Sequence, residues 1–162
     1  MTDPITSSAR HVLKESLAEL RAAVEGVSAE GLNWKPVDKE TNSMAVLASH
    51  ALHSTRSWLT VAVVGTERSE QDRSSEFLAT EDDPGALLRI VDEMSADCRA
   101  LLRDAGEVDW SVARKIRALS WEPGVEEVPA AYAILHSLEH LGQHLAHCSL
   151  TRQLWEDRVE GD

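Results

Sequence analysis

Residues 130–155 read AAYAILHSLEHLGQHLAHCSLTRQLW, and this stretch decides the fold. It follows Pro129, a residue suited to opening a helix, and only one glycine, Gly142, interrupts it. One long helix is therefore predicted from Ala130 to about Trp155. At 100° per residue, His136, His140, His144 and His147 fall at roughly 0°, 40°, 80° and 20° around its axis, within one quarter of the circumference. Ile134, Leu138, Leu141, Leu145 and Cys148 fall at roughly 120° to 200°, so an apolar stripe runs beside the imidazole stripe. A helix that packs by its leucines turns the edge of the histidine row toward the interior.

Working outward, three more long helices are legible. The first is predicted from Ser7 to Glu25, where Ile5, Val12, Leu13, Leu17, Leu20 and Val24 recur near the helical period before Gly26. Residues 27–40 read as a connection with one short turn begun by Ser28, and Trp34 is expected to plug an end of the core. The second helix starts at Thr41, Asn42 or Ser43, all good caps, and runs through Leu47, His50, Ala51, Trp58 and Val61 to Gly65. Thr66–Glu81 reads as a polar surface loop. Asp83-Pro84 opens a third helix, whose seam of Leu87, Val91, Met94, Cys98 and Leu101 ends at Gly106. In residues 107–128, Trp110, Val112, Ile116 and Leu119 fit either a short helix or a strand pair, and Trp121-Glu-Pro-Gly reads as a turn. Four amphipathic helices without a βαβ alternation or repeat predict an all-α fold, a four-helix bundle of the up-and-down type with longer connections.

Composition narrows the function. A chain of 162 residues fits a single domain spanning 1–162, and 43% hydrophobic with 27% charged residues excludes a disordered or collagen-like chain. The 28 acidic against 16 basic residues give a net charge of -12, which disfavours nucleic acid and anionic membrane surfaces as partners. Two cysteines, Cys98 and Cys148, form no CxxC spacing and both fall on apolar seams, so they read as core. Without an apolar signal core or a run of about 18 apolar residues, a cytoplasmic protein is expected. No GxSxG elbow occurs, and EHLGQH is not HExxH, so serine hydrolase and zincin protease chemistry are disfavoured.

The histidines require an explanation of their own. Imidazoles four apart on a helix can converge on one ion at about 2.0–2.1 Å, but a third ligand must come from elsewhere. His50 supplies it, since it falls among Leu47, Ala51, Ser54 and Trp58 on the inward face of the second helix. A neutral histidine buried there without a polar partner would cost about 1–3 kcal/mol. A lone HxxxH pair is common on surface helices, and His11 and His53 read as solvated or rim residues. Four histidines in one quarter with an inward fifth favour a divalent metal over an ion-free, histidine-lined pocket.

The run His136-Ser-Leu-Glu-His140-Leu-Gly-Gln-His144-Leu-Ala-His147, followed by Thr151-Arg152-Gln153, resembles the last-helix motif of the DinB-like superfamily. Asn42-Ser-Met-Ala-Val-Leu-Ala-Ser-His50-Ala-Leu-His53, with Trp58 beyond it, is similar to the family's second-helix motif. The resemblance implies a four-helix bundle holding a divalent ion through His50, His140 and His144. A second register, in which His136 pairs with His140, stays open because either His140-Leu-Gly or His144-Leu-Ala fills the family's final slot. His136, His147 and Trp58 then line the pocket. Members of the family include transferases and an isomerase that use mycothiol or bacillithiol. The resemblance therefore implies a metal-dependent transfer of a low-molecular-weight thiol to an electrophilic small molecule, with a homodimer as the assembly; three neutral histidine ligands suit zinc, nickel or iron as the cofactor. The alternative expectation is a non-catalytic metal- or ligand-binding stress protein, or a helical dimerisation module.

Overall fold

The computed structural model describes residues 3–37, 39, 41–67, 82–116 and 124–161. Its elements are α1 (Pro4–Val24), α2 (Ala29–Asn33), α3 (Met44–Val63), α4 (Pro84–Asp104), β1 (Ala113–Lys115), β2 (Glu127–Pro129) and α5 (Ala130–Gly161). The parts of the expected loop at 68–81 and of the turn at 121–123, together with Leu119, lie outside the described residues.

The fold is all-α apart from one two-stranded ribbon. Helices α3 and α5 share the largest interface; α1 packs on α5 and α4, α3 packs on α5 and α4, and α1 meets α3 only across the centre. Consecutive helices α1 and α3 are thus diagonal neighbours. A diagonal step must cross an end of the bundle, which accounts for the long link from residue 25 to 43.

Local chemistry sets the helix ends. Helix α1 begins three residues before the expected Ser7, because Asp3-Pro4 repeats the cap chemistry of Asp83-Pro84: Asp3 accepts from the Thr6 amide at 2.9 Å, and Pro4 opens the first turn. Trp110 Nε1 also donates to Asp3 at 2.8 Å. The Thr6 hydroxyl and amide, against a smaller opposing desolvation, hold the Asp3 carboxyl down to about 2, from an ordinary 3.8. A carboxylate with a lowered folded pKa contributes stability above its ordinary pKa and loses it as pH falls toward the folded value. Asp3→Asn is therefore expected to lower the urea midpoint at pH 7, and the difference from wild type should close as pH approaches 2.

Ser43 is the cap of α3, accepting from the Val46 amide, and Gly65 ends that helix at φ +80°. Asp83 caps α4 by accepting from Gly85 at 2.9 Å. Among the described residues no side chain caps the start of helix α5. Its first amides, on Ala130 and Ala131, donate instead to the carbonyls of Val112 and Trp110, both at 2.9 Å. Of the two readings of this segment, the described residues form a strand pair, Ala113–Lys115 with Glu127–Pro129, in which Arg114 lies opposite Val128 and Ile116 is buried beside it. Helix α5 runs past the expected Trp155 because residues 156–160 contain no breaker and Arg152 pairs with Glu156 one turn on.

Leu13, Leu17, Leu20, Leu52, Leu59, Leu87, Leu102, Ile134 and Leu141 form the core, with Cys98 and Cys148 also buried. Two residues expected on the inward face of α1, Ile5 and Val12, are 40% and 42% exposed. Thr6, Ala9 and Ala23 occupy buried turns of that face instead, because small side chains suffice where helices approach closely. Met94 and Leu101 of the α4 seam are partly buried at its edge, while Ser95 and Leu102 point inward.

At the far end, Trp34 is half-buried with its ring 5.7 Å from that of Trp155, and the Arg158 guanidinium lies 5.8 Å over it. Helix α2 is pressed onto this plug. A Cβ on Gly31 would lie 2.5 Å from Trp155 Nε1 and 2.7 Å from a Val27 methyl. Gly31→Ala should accordingly cost about 1–3 kcal/mol, as overpacking does, and thermal unfolding would read it as a lowered Tm.

Candidate metal centre

The third turn of α3 and the middle of α5 meet across the largest interface in the bundle. Leu47, Ala51, Ser54 and Trp58 are buried there from α3, and Ile134, Ser137, Leu141 and Leu145 from α5. Ser137 donates to the Thr55 carbonyl at 3.2 Å and ties the two helices together within the interface. Side chains adjoining these contacts are positioned by rigid helices.

His50 is 4% exposed; its ring centroid lies 5.2 Å from that of His140 and 4.9 Å from that of His144. The His140 and His144 rings are 4.4 Å apart, and their Nε2 atoms approach to 3.3 Å. One ring nitrogen from each of the three histidines lies within 4.8 Å of the others. Two nitrogens bound tetrahedrally at 2.0–2.1 Å are separated by about 3.3–3.4 Å, so the His140–His144 pair has the edge length of a tetrahedral site. Two neutral nitrogens facing each other at that distance need a proton or a cation between them.

The donor set fits a divalent ion. His144 is held neutral at physiological pH, its pKa lowered from 6.5 to about 4, first by burial and then by the like charges of His50 and His147. Its Nδ1 is buried with no hydrogen-bond partner among the described residues. The geometry gathers His144, and not His136, with His50 and His140.

His136 lies one turn away, its ring 5.7 Å from that of His140. It packs edge-on against the buried Trp58 ring at 4.6 Å and stacks on Tyr132 at 5.7 Å with an interplanar angle of 8°. Its Nδ1 is 3.7 Å from a Glu139 carboxylate oxygen. His147 is exposed at the other end of the row, ring to ring 6.2 Å from His144. His53 is exposed, and His11 pairs with Glu15 on the surface of α1. Tyr132 was not apparent from sequence as a neighbour of this site, although it continues the histidine row one turn earlier. Burial lifts the thiol pKa of both Cys98 and Cys148 to about 12, so neither is a nucleophile at neutral pH.

The family description "DinB superfamily" matches residues 13–148, and the chain belongs to that superfamily. Among solved structures, the fold is similar to that of a mycothiol-dependent maleylpyruvate isomerase, with a TM-score of 0.64 at 15% sequence identity. The alignment covers 91% of this chain and 63% of the isomerase, so the chain spans less than two thirds of that enzyme's length. No curated protein matches in sequence. No helix among the described residues is long and apolar enough to cross a membrane.

Proposed function

We propose that this chain is a divalent-metal-dependent transferase that joins a low-molecular-weight thiol to an electrophilic small molecule. The observation that carries the reading is the convergence of His50, His140 and His144 from two separate helices. Three histidine ligands are the number found in catalytic sites, which keep a coordination position open, whereas structural sites are closed with four protein ligands. All three are neutral donors, so a bound zinc, nickel or iron would keep its full charge and supply Lewis acidity that favours ionisation of an incoming thiol.

The chain's own residues divide the remaining tasks. With Cys98 and Cys148 buried and held protonated, the nucleophile comes from outside the protein. His144, neutral well below pH 7, keeps a lone pair available as a ligand. His147, exposed beside it, accepts the thiol's proton and relays it onward. Trp58 and Tyr132 hold the His136 ring, and His136 in turn backs His140. With an epoxide as electrophile, a sulfur–carbon bond forms and a carbon–oxygen bond breaks. The thiol's proton ends on the new alkoxide, and nothing is oxidised or reduced. The substrates are small molecules, the setting is cytoplasmic, and a homodimer is the proposed assembly. The thiol-dependent isomerase of similar fold supports thiol chemistry as the class.

The test is depletion of thiol by purified, untagged, metal-loaded protein in the presence of epoxide, quinone or alkyl-halide electrophiles. Mycothiol and bacillithiol are the first thiols to supply. Metal-dependent consumption above the uncatalysed rate is expected and should vanish in His140→Ala. Stoichiometric metal with no consumption across the panel would leave a non-catalytic metal-binding protein.

A further inference from the structure

One turn beyond the histidine cluster, the start of α3, the segment before it and the C-terminal half of α5 enclose a groove of about 320 Å³. We infer that this groove holds the body of a neutral, largely apolar small molecule, the electrophile, whose reactive carbon is directed toward the His50–His140–His144 cluster. The inference rests on the transferase reading for the word electrophile; the class of ligand rests on the groove itself.

Position comes first. Leu47 lies one turn before His50 on α3, and His147 lies one turn after His144 on α5; both line the groove. The groove therefore begins one helical turn from the cluster on each of the two helices that build it, and its volume falls in the range of small-ligand sites.

Its lining then selects the ligand. Pro36, Leu47, Leu150 and Leu154 give it an aliphatic wall, with Leu150 53% and Leu154 41% exposed. The polar groups are few and partly committed. The Thr41 hydroxyl accepts from the Val37 amide at 2.9 Å and donates to the Val37 carbonyl at 2.8 Å. The Thr151 hydroxyl donates its proton to the His147 carbonyl at 2.9 Å. Asn42 and His147 are left to bind a ligand's polar atoms. No lysine, arginine, aspartate or glutamate among the described residues lines the groove. An ionised or hydroxyl-rich molecule would lose more hydration here than those two side chains return, whereas an apolar body with one or two acceptor atoms loses little. The groove thus suits the electrophile better than a polar thiol.

The experiment uses the full-length protein with ¹³C-labelled leucine methyl groups. The binding probe is 2,4-dinitrotoluene, neutral and unreactive toward thiols. Saturable shifts at Leu47, Leu150 and Leu154 are expected, and Leu150→Glu, at an exposed position that leaves the core intact, should weaken binding at least tenfold without changing metal content. Absent or non-saturable shifts, a shift confined to Leu101 in the surface groove between α3 and α4, or equal affinity in Leu150→Glu would overturn the inference. The reactive arm supplies 1-chloro-2,4-dinitrobenzene with a thiol: a sulfur–carbon bond forms, a carbon–chlorine bond breaks, and chloride and the thiol's proton are released. Probe binding without turnover supports the groove and removes the transferase reading. Turnover with silent leucines and an unchanged KM in Leu150→Glu does the reverse.

Discussion

Replacing His140 with alanine is expected to abolish stoichiometric metal binding while leaving the protein folded. His140 is only half-buried, so the truncation opens no large core cavity, and its Nε2 forms the 3.3 Å edge with His144. Two imidazoles remain, and affinity should fall by more than the roughly 10–100-fold that follows loss of a mere outer-shell partner. Elemental analysis of untagged protein reads the stoichiometry. Unfolding reads the affinity, since a ligand bound only by the native state at about 1,000 times its Kd adds about 4 kcal/mol. For a chain of this size that is roughly 10 °C in Tm. Metal should therefore raise the Tm of wild type and of His11→Ala, whose ring is on the surface of α1, and leave that of His140→Ala unmoved. Full metal occupancy in His140→Ala would remove the proposed site.

That the histidine row of the last helix and the inward-facing His50 could be singled out from sequence has a local cause. Helical periodicity is a one-dimensional property, and it places His136, His140, His144 and His147 on one strip without any knowledge of neighbours. His50 could be paired with them because Leu47, Ala51 and Trp58 mark the inward face of its own helix. Choosing between His136 and His144 required the distance across α3 and α5, which no pattern along a single helix contains. The same limit explains the other differences. Ile5 and Val12 have the right period for α1 and still face solvent, because the width of the buried strip depends on which helices lie alongside. The ribbon at 113–115 and 127–129 holds the preceding segment where the Trp110 and Val112 carbonyls meet the first amides of α5, a requirement that arises only once α5 is in place. Tyr132 joins the site through its stack on His136 and its contact with Trp58, a residue more than 70 positions away. Asp3 was missed for a simpler reason: the apolar pattern of α1 becomes regular only after its cap and first turn.

Trp58→Ala should produce the largest loss of stability of any single change near the site. The indole is 1% exposed and is the largest fully buried side chain among the described residues. Large aromatic-to-alanine truncations in cores cost about 3–5 kcal/mol, a substantial part of the roughly 5–15 kcal/mol that holds an ordinary domain folded. A drop in Tm of roughly 10 °C or more is expected, measured on metal-free protein so that linkage does not mask it. The effect on the metal should be far smaller. Among the described residues Trp58 makes ring contacts with His136 and Tyr132, so its removal loosens the ring that backs His140 without deleting a donor. Metal affinity should fall by no more than about tenfold, within the range for an outer partner. Saturating metal should then restore part of the lost stability in Trp58→Ala and none in the double variant with His140→Ala. A Trp58→Ala protein within about 1 kcal/mol of wild type would mean that the indole is not packed as described. Loss of metal as complete as that in His140→Ala would mean that the indole, and not the helix backbone, sets the position of the ligands.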